Sequence, residues 1–236
     1  MKNVVYSIIL AAGCSSRMKG TDKIFEKLCN GKEVIINTIY KFDELEESSK
    51  IIVVTRKNII NDFKKLIQKY KFKNEIFVVE GGLTRTQSLF NGFDFVNQKF
   101  FLTDDSYCLI HDGARPLISK RDILNCLENA VKYKASALGV KINNTVKKSD
   151  ANRFILKTVD RTDLFSIQTP QIFQASLLNK AIINAKNNNL DFTDDCQLIE
   201  SIGGKVYISE GSQLNIKITT PQDLLLVNNI LKVMEN

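Results

Sequence analysis

Histidine occurs once in this 236-residue chain, at His111, and its five cysteines (Cys14, Cys29, Cys108, Cys126 and Cys196) form no Cys-x-x-Cys pair. A zinc site is therefore not expected, and the odd cysteine count argues against a disulfide framework. No apolar run approaches the roughly 20 residues of a membrane helix. The opening Met1-Lys2-Asn3-Val4-Val5-Tyr6-Ser7 lacks a basic-then-apolar leader, so a cytoplasmic protein is expected, with no membrane partner. Gly-Lys-Ser, Gly-Lys-Thr and Gly-x-Gly-x-x-Gly are all missing, which excludes the two commonest glycine-rich phosphate signatures. Internal repeats, linkers and low-complexity segments are missing too.

What remains is an ordinary globular composition, 44% apolar and 25% charged, long enough for one large domain over residues 1–236. The formal charge of +7 suits phosphorylated substrates and nucleic acids alike. Lysine and arginine are spread along the chain rather than blocked. The one basic stretch interleaved with aromatics, Lys69-Tyr70-Lys71-Phe72-Lys73, reads as a helix end leading to a strand. The charge is read as solvated surface, and no nucleic-acid partner is expected.

Strand-like runs at 4–10, 50–55, 76–80, 107–110 and 135–142 alternate with helical patterns at 33–42, 59–70, 85–96 and 121–132. Leu89, Phe93 and Val96 share one helical face, as do Ile123, Leu127, Ala130 and Val131. Ser119 to Asp122 forms a capping box. Continuous apolar strands between amphipathic helices predict an α/β fold, a mainly parallel, Rossmann-like sheet covered on both faces, with ligands beyond the strands' carboxyl ends. The pattern breaks over residues 141–168, where β-prone pieces flank a turn at Ser149-Asp150-Ala151-Asn152. This segment is expected to project as a β-arm, and an exposed arm edge needs a partner, a second copy being the economical one. Beyond Pro170 come helices at 175–188 and from about 194, a strand at 205–209, and a last helix capped by Thr220-Pro221-Gln222-Asp223, with Leu224, Val227, Ile230, Leu231 and Met234 as its apolar stripe.

Three clusters stand at element ends. The run Ile8-Ile9-Leu10-Ala11-Ala12-Gly13-Cys14-Ser15-Ser16-Arg17-Met18, with Lys23 shortly after, can bring backbone N–H groups and cations around a triphosphate. The plainer alternative is a strand end and a solvated basic loop. Gly81-Gly82-Leu83-Thr84-Arg85-Thr86-Gln87-Ser88 allows close backbone approach to a flat ligand, or is simply a turn before a helix. In His111-Asp112-Gly113-Ala114-Arg115-Pro116, Asp112 offers an oxygen ligand for a Mg²⁺–triphosphate, or else is an N-cap or half of a buried Asp–Arg pair. His111 is assigned to packing or hydrogen bonding, because in-line phosphoryl chemistry needs positioning and charge neutralisation more than a proton shuttle.

Order and spacing of these clusters resemble the 2-C-methyl-D-erythritol 4-phosphate cytidylyltransferases of the non-mevalonate isoprenoid pathway. The likeness continues through Thr158-Val159-x-Arg161-x-x-Leu164, Gln168-Thr169-Pro170-Gln171, Phe192-Thr193-Asp194-Asp195 and Asn215-Ile216-Lys217-x-Thr219-x-Pro221. The resemblance implies CMP transfer from CTP to the sugar phosphate, with Arg17, Lys23, Lys217 and Arg161 as catalytic residues. It assigns Ala11, Ala12, Gly13, Cys14, Ser15, Ser16, Gly82, Arg85, Ser88, Asp112 and Gly113 to CTP. Thr145, Arg161, Thr169, Thr193 and Arg115 go to methylerythritol phosphate, and Asp112 to Mg²⁺ as cofactor. It also implies a homodimer in which Thr145 and Arg161, on the arm, reach the neighbouring subunit's site. Two positions depart from the family pattern, Ser15 where glycine is common and Leu214 where an acid is common. The nearest rival is ribitol 5-phosphate cytidylyltransferase, with the same fold and chemistry; a non-catalytic nucleic-acid-binding protein is the rival from another class.

Overall fold

The computed structural model describes residues 3–13, 22–46 and 48–234, with the backbone alone at 48 and 49. In chain order the elements are β1 (Val4–Ala11), α1 (Val34–Asp43), β2 (Ser48–Thr55), α2 (Ile60–Ile67), β3 (Ile76–Glu80), α3 (Arg85–Lys99), β4 (Ser106–Asp112), α4 (Lys120–Tyr133) and β5 (Ala135–Lys141). They continue with β6 (Val146–Ser149), β7 (Ile155–Val159), β8 (Phe165–Gln174), α5 (Ala175–Asn187), α6 (Cys196–Glu200), β9 (Tyr207–Glu210) and α7 (Pro221–Met234).

Seven strands form one sheet in the order β3-β2-β1-β4-β8-β5-β9. The first four are parallel; β8 runs antiparallel to both β4 and β5, and β9 is parallel to β5. Successive residues of a strand face opposite sides, so each central strand feeds two cores. Val5 and Ile9 of β1 join Ile51, Val53 and Leu109 under α1, α2 and α4. Tyr6 and Ile8 join Ile52, Val54 and Ile110 under α3 and α5. This two-sided burial is why the strands read as unbroken apolar runs. Strand order reverses beside β1, which places the crevice of an open α/β sheet between the ends of β1 and β4.

Strand β8 departs from expectation, because the sequence reading joined 165–168 to the arm and gave no strand across Pro170. Its middle is polar (Gln168, Thr169, Gln171), and a proline argues against a central strand. The structure accommodates both at a register irregularity: Ala137 pairs with Gln171, but Gly139 pairs with Ile167. The projecting part is thus 142–164, with β6 and β7 as a separate antiparallel hairpin. Val131 and Met234, expected on buried stripes, are exposed, whereas Val227 and Leu231 are buried as the helical spacing requires. The basic stretch at 69–73 carries Tyr70 and Phe72 packed against the core. Its aromatics are therefore not presented for stacking on bases.

Helix α3 rests close to the sheet through Gly92, where an added Cβ would lie 2.8 Å from Val54 Cγ2 and 2.9 Å from Ile8 Cγ2. Gly92→Ala is expected to destabilise the fold by about 1–3 kcal/mol through overpacking, despite alanine's better helix propensity. Urea denaturation checks this; a gain in stability would mean that α3 can lift at no cost.

Candidate active site

Three strand ends and the segment before α7 enclose a cleft of about 320 Å³. Ala11, Ala12 and Gly13 continue β1, Gly82 to Arg85 with Ser88 form the turn into α3, and Asp112 ends β4. Lys23, Ile24 and Lys217 complete the wall. Register explains the convergence, since Leu10 stands beside Asp112 in adjacent strands and the Gly113 N–H donates to the Leu10 carbonyl at 2.8 Å.

Asp112 is the charge centre. Its Oδ2 lies 2.9 Å from Lys217 Nζ and 3.2 Å from Arg115 Nε, and its Oδ1 lies 3.8 Å from Arg85 Nε. Burial by itself would raise the pKa of this carboxyl; Lys217, Arg85 and Arg115 reverse that and hold it well below the usual carboxylate range. Lys217 is delivered by a strap stitched to the end of β4. The Ile218 N–H donates to the Ala114 carbonyl, and Arg115 donates to the Asn215 carbonyl at 2.7 Å.

His111 and Thr169 lie behind Asp112. The Asp112 N–H donates to Thr169 Oγ1, which also meets His111 Nδ1 at 3.0 Å. Burial lowers the His111 pKa to about 4, so the imidazole is neutral at physiological pH and serves as a hydrogen-bonding strut. Gly113 is packed behind the rim, and its carbonyl accepts from Thr38 Oγ1 of α1.

At the other end of the cleft the polar groups turn inward. Thr84 caps α3, accepting from the Gln87 N–H. Ser88 Oγ accepts from the Gly82 N–H at 3.1 Å and donates to the Thr84 carbonyl at 2.9 Å, so its hydroxyl shapes the turn. Gly82 fits because an added Cβ would lie 2.2 Å from Gln87 Cβ. Arg85 lines the cleft but directs a two-pronged hydrogen bond to Asp195, a buried carboxylate 110 positions away. Burial pushes the Asp195 carboxyl up against the pull of Arg85, while Arg85 is held more firmly protonated than usual against its own desolvation.

Of the residues expected from sequence, Ala11, Ala12, Gly13, Lys23, Gly82, Arg85, Ser88, Asp112 and Lys217 share the cleft lining. Arg115, Thr169 and Gly113 stand immediately behind it. Thr193 lies on another surface loop, where its hydroxyl donates to Gln197 Oε1. Thr145 and Arg161 are exposed on the arm, with Arg161 donating to the Asn143 carbonyl. Cys14, Ser15, Ser16 and Arg17 fall outside the described residues. Sequence reasoning assigned no role to Asp195, Asn215 or Arg56. The first two stood in quoted motifs but act through partners far away in the chain. Arg56, just past a strand end that touches β1, had no motif to mark it.

A family model described as IspD, 2-C-methyl-D-erythritol 4-phosphate cytidylyltransferase, matches residues 5–233. The 2-C-methyl-D-erythritol 4-phosphate cytidylyltransferase of Caldanaerobacter subterraneus subsp. tengcongensis is 39% identical over 230 residues, which is 97% of this chain and 99% of the relative. That of Clostridium acetobutylicum is also 39% identical, over 96% of each chain. The crystal structure of 4-diphosphocytidyl-2C-methyl-D-erythritol synthase from Anaerococcus prevotii superposes with a TM-score of 0.82 at 30% identity, covering 98% of this chain and all of the other.

The Arg85–Asp195 pair generates a stability prediction. Asp195→Ala leaves a largely buried guanidinium without its main counter-ion and is expected to lower the unfolding free energy by about 3 kcal/mol. Denaturant titration checks this; a change below about 1 kcal/mol, as for a surface pair, would show that water replaces the carboxylate.

Proposed function

The chain belongs to the 2-C-methyl-D-erythritol 4-phosphate cytidylyltransferase family, and we propose that its reaction takes place in the cleft between the ends of β1 and β4. The enzyme transfers CMP from CTP to 2-C-methyl-D-erythritol 4-phosphate in the non-mevalonate isoprenoid pathway. A 4-phosphate oxygen forms a bond to the α-phosphorus of CTP while the bond to pyrophosphate breaks. The products are 4-diphosphocytidyl-2-C-methyl-D-erythritol and pyrophosphate. Both reactants are anions, so repulsion and loss of two-body freedom dominate the barrier.

The observation that carries this placement is the cationic wall, Lys217, Arg115 and Arg85 gathered on one buried carboxylate, with Lys23 lining the same cleft. Lys23, with Arg17 carried by the family motif, holds the phosphate tail and stabilises charge moving onto pyrophosphate, and Lys217 bridges the nucleotide and the sugar phosphate. The opposite end suits a base. The N–H groups of Gly81, Gly82 and Leu83 are occupied by the Thr55 carbonyl, Ser88 Oγ and Gln87 Oε1. This strip therefore offers carbonyl acceptors, which match the amino group of cytosine rather than the O4 of uracil.

We assign Mg²⁺ to Asp112. Its Oδ1 makes no hydrogen bond among the described residues, and the carboxylate is held ionised. No cluster of three or more metal-ligating side chains occurs among them. One protein carboxylate plus phosphate and water oxygens is a usual Mg²⁺ arrangement, and the bound ion would neutralise triphosphate charge.

The hairpin 142–164 is assigned to homodimerisation. Phe154, Ile155 and Leu156 stand consecutively exposed on it, at 71%, 66% and 59%. Such a patch on a two-stranded arm calls for a covering surface. Thr145 and Arg161 would then serve the partner's cleft, near the methylerythritol phosphate. A cytoplasmic location is proposed from the family's biosynthetic role; among the described residues no helix is long and apolar enough to cross a membrane.

A pyrophosphate-release assay with CTP, Mg²⁺ and either sugar phosphate tests substrate choice. Turnover with methylerythritol phosphate and little with ribitol 5-phosphate is expected. Lys23→Ala and Arg17→Ala should each lower kcat by about 10²–10³, the range for one preorganised transition-state donor. A rise in KM alone would remove them from the transition state. Arg161→Ala should weaken methylerythritol phosphate much more than CTP, and equal losses would place it elsewhere.

A further inference from the structure

We propose that Arg56 is a positioning residue of the nucleotide cleft, which cancels the negative charge of Asp22 beside the triphosphate path and braces the end of β1 through Gly13. The inference rests on the reading of Lys23 as a phosphate cation. Arg56 directly follows β2, whose last residue, Thr55, stands in register with Ala11 of β1. Its guanidinium pairs with the Asp22 carboxylate and donates to the Gly13 carbonyl at 3.4 Å. One side chain thus joins the residues on either side of the 14–21 segment, one of them the neighbour of Lys23.

The pair is largely sequestered, with side chains 21% and 20% exposed. Arg56 Nε is buried and makes no hydrogen bond among the described residues. Ion pairs taken out of water contribute little net stability, and an unsatisfied nitrogen lowers that further. Electrostatics gives the pair a use. Asp22 precedes Lys23, and its carboxylate, with less positive charge beside it, would repel the polyanion that Lys23 attracts, the more so where water is excluded. Arg56 supplies the neutralising charge without occupying the cleft, whose lining it does not join.

Charge cancellation and simple bracing differ in one respect that is measurable. If cancellation matters, deleting the carboxylate repairs the loss of the arginine; if Arg56 only braces, it does not. The experiment compares wild type, Arg56→Ala, Arg56→Lys, Asp22→Asn and the Arg56→Ala/Asp22→Asn double variant, with Lys23→Ala as control. CTP binding is measured calorimetrically with Mg²⁺ and without sugar phosphate, alongside kcat, both KM values and the melting temperature. Arg56→Ala is expected to weaken CTP about tenfold in Kd and KM, leaving the KM for methylerythritol phosphate unchanged. The double variant should return to within about twofold of wild type, and Arg56→Lys should recover part of the loss. Unchanged CTP affinity in Arg56→Ala, or no recovery in the double variant, would overturn the proposal. Should Arg56→Ala fail to fold, Asp22→Asn alone decides, because it must bind CTP at least as tightly as wild type. If Lys23→Ala also leaves CTP affinity intact, the error lies in the placement of the cleft and not in Arg56 alone.

Discussion

One buried carboxylate holds the site together. Asp112 ends a strand whose every residue is buried, in a place where an isolated charge would be strongly penalised. It remains ionised because Lys217, Arg115 and Arg85 converge on it from three separate parts of the chain. The dependence is mutual. Lys217 and Arg115 would repel one another without Asp112 between them, whereas Arg85 is anchored chiefly on Asp195, so three cations meet two carboxylates and one positive charge is left over. The surplus is a fixed positive potential, set before any ligand arrives. Preorganised charge of this kind needs no reorganisation when charge develops during reaction, which is where electrostatic catalysis gains its advantage.

The supporting layer explains how such an arrangement stays in place. Neutral His111 and Thr169 hold the backbone of Asp112, and Asn215 donates to the Thr169 carbonyl at 2.8 Å while its own carbonyl receives Arg115. The strap bearing Lys217 is thus tied to β8 and β4 at once. The polar residues in the middle of β8, awkward for a central strand, are the means by which the rim is fastened. Only a neutral imidazole suits His111 here, since a second charge behind Asp112 would contest the cations in front.

Much of this fold was legible in the sequence for a definite reason. Strands buried on both faces must be apolar throughout, and helices packed on them must repeat at 3.6 residues, so β1 to β5 and α1 to α4 announced themselves. Strand β8 did not, because Pro170 and its polar neighbours obey the site rather than the sheet. Residues next to strand ends, such as Asp112 and Gly82, could be placed from local chemistry. The Asp112–Arg115 pair stood among the local readings, three positions apart, whereas Lys217 was found through family resemblance, since nothing local says that residue 217 meets residue 112. Asp195 and Arg56 escaped altogether. Their meaning lies in long-range pairing, with Arg85 and with Asp22, and pairing of that range leaves no periodicity to read.

The two ends of the cleft are built on opposite rules, and in the proposed reading this difference orients the nucleotide. At the Gly82 end the donors are consumed internally, by Ser88, Gln87 and the Thr55 carbonyl, so that acceptors face the ligand. At the Asp112 end one carboxylate oxygen is engaged by Lys217 and Arg115, and positive charge is gathered there. A molecule with an amino-bearing base at one end and a polyanion at the other fits in one direction only. Reversing it would set phosphates against carbonyl oxygens and an amino group against ammonium and guanidinium groups. Specificity therefore begins in the second layer of side chains, because those residues decide which polar groups the first layer has left to offer.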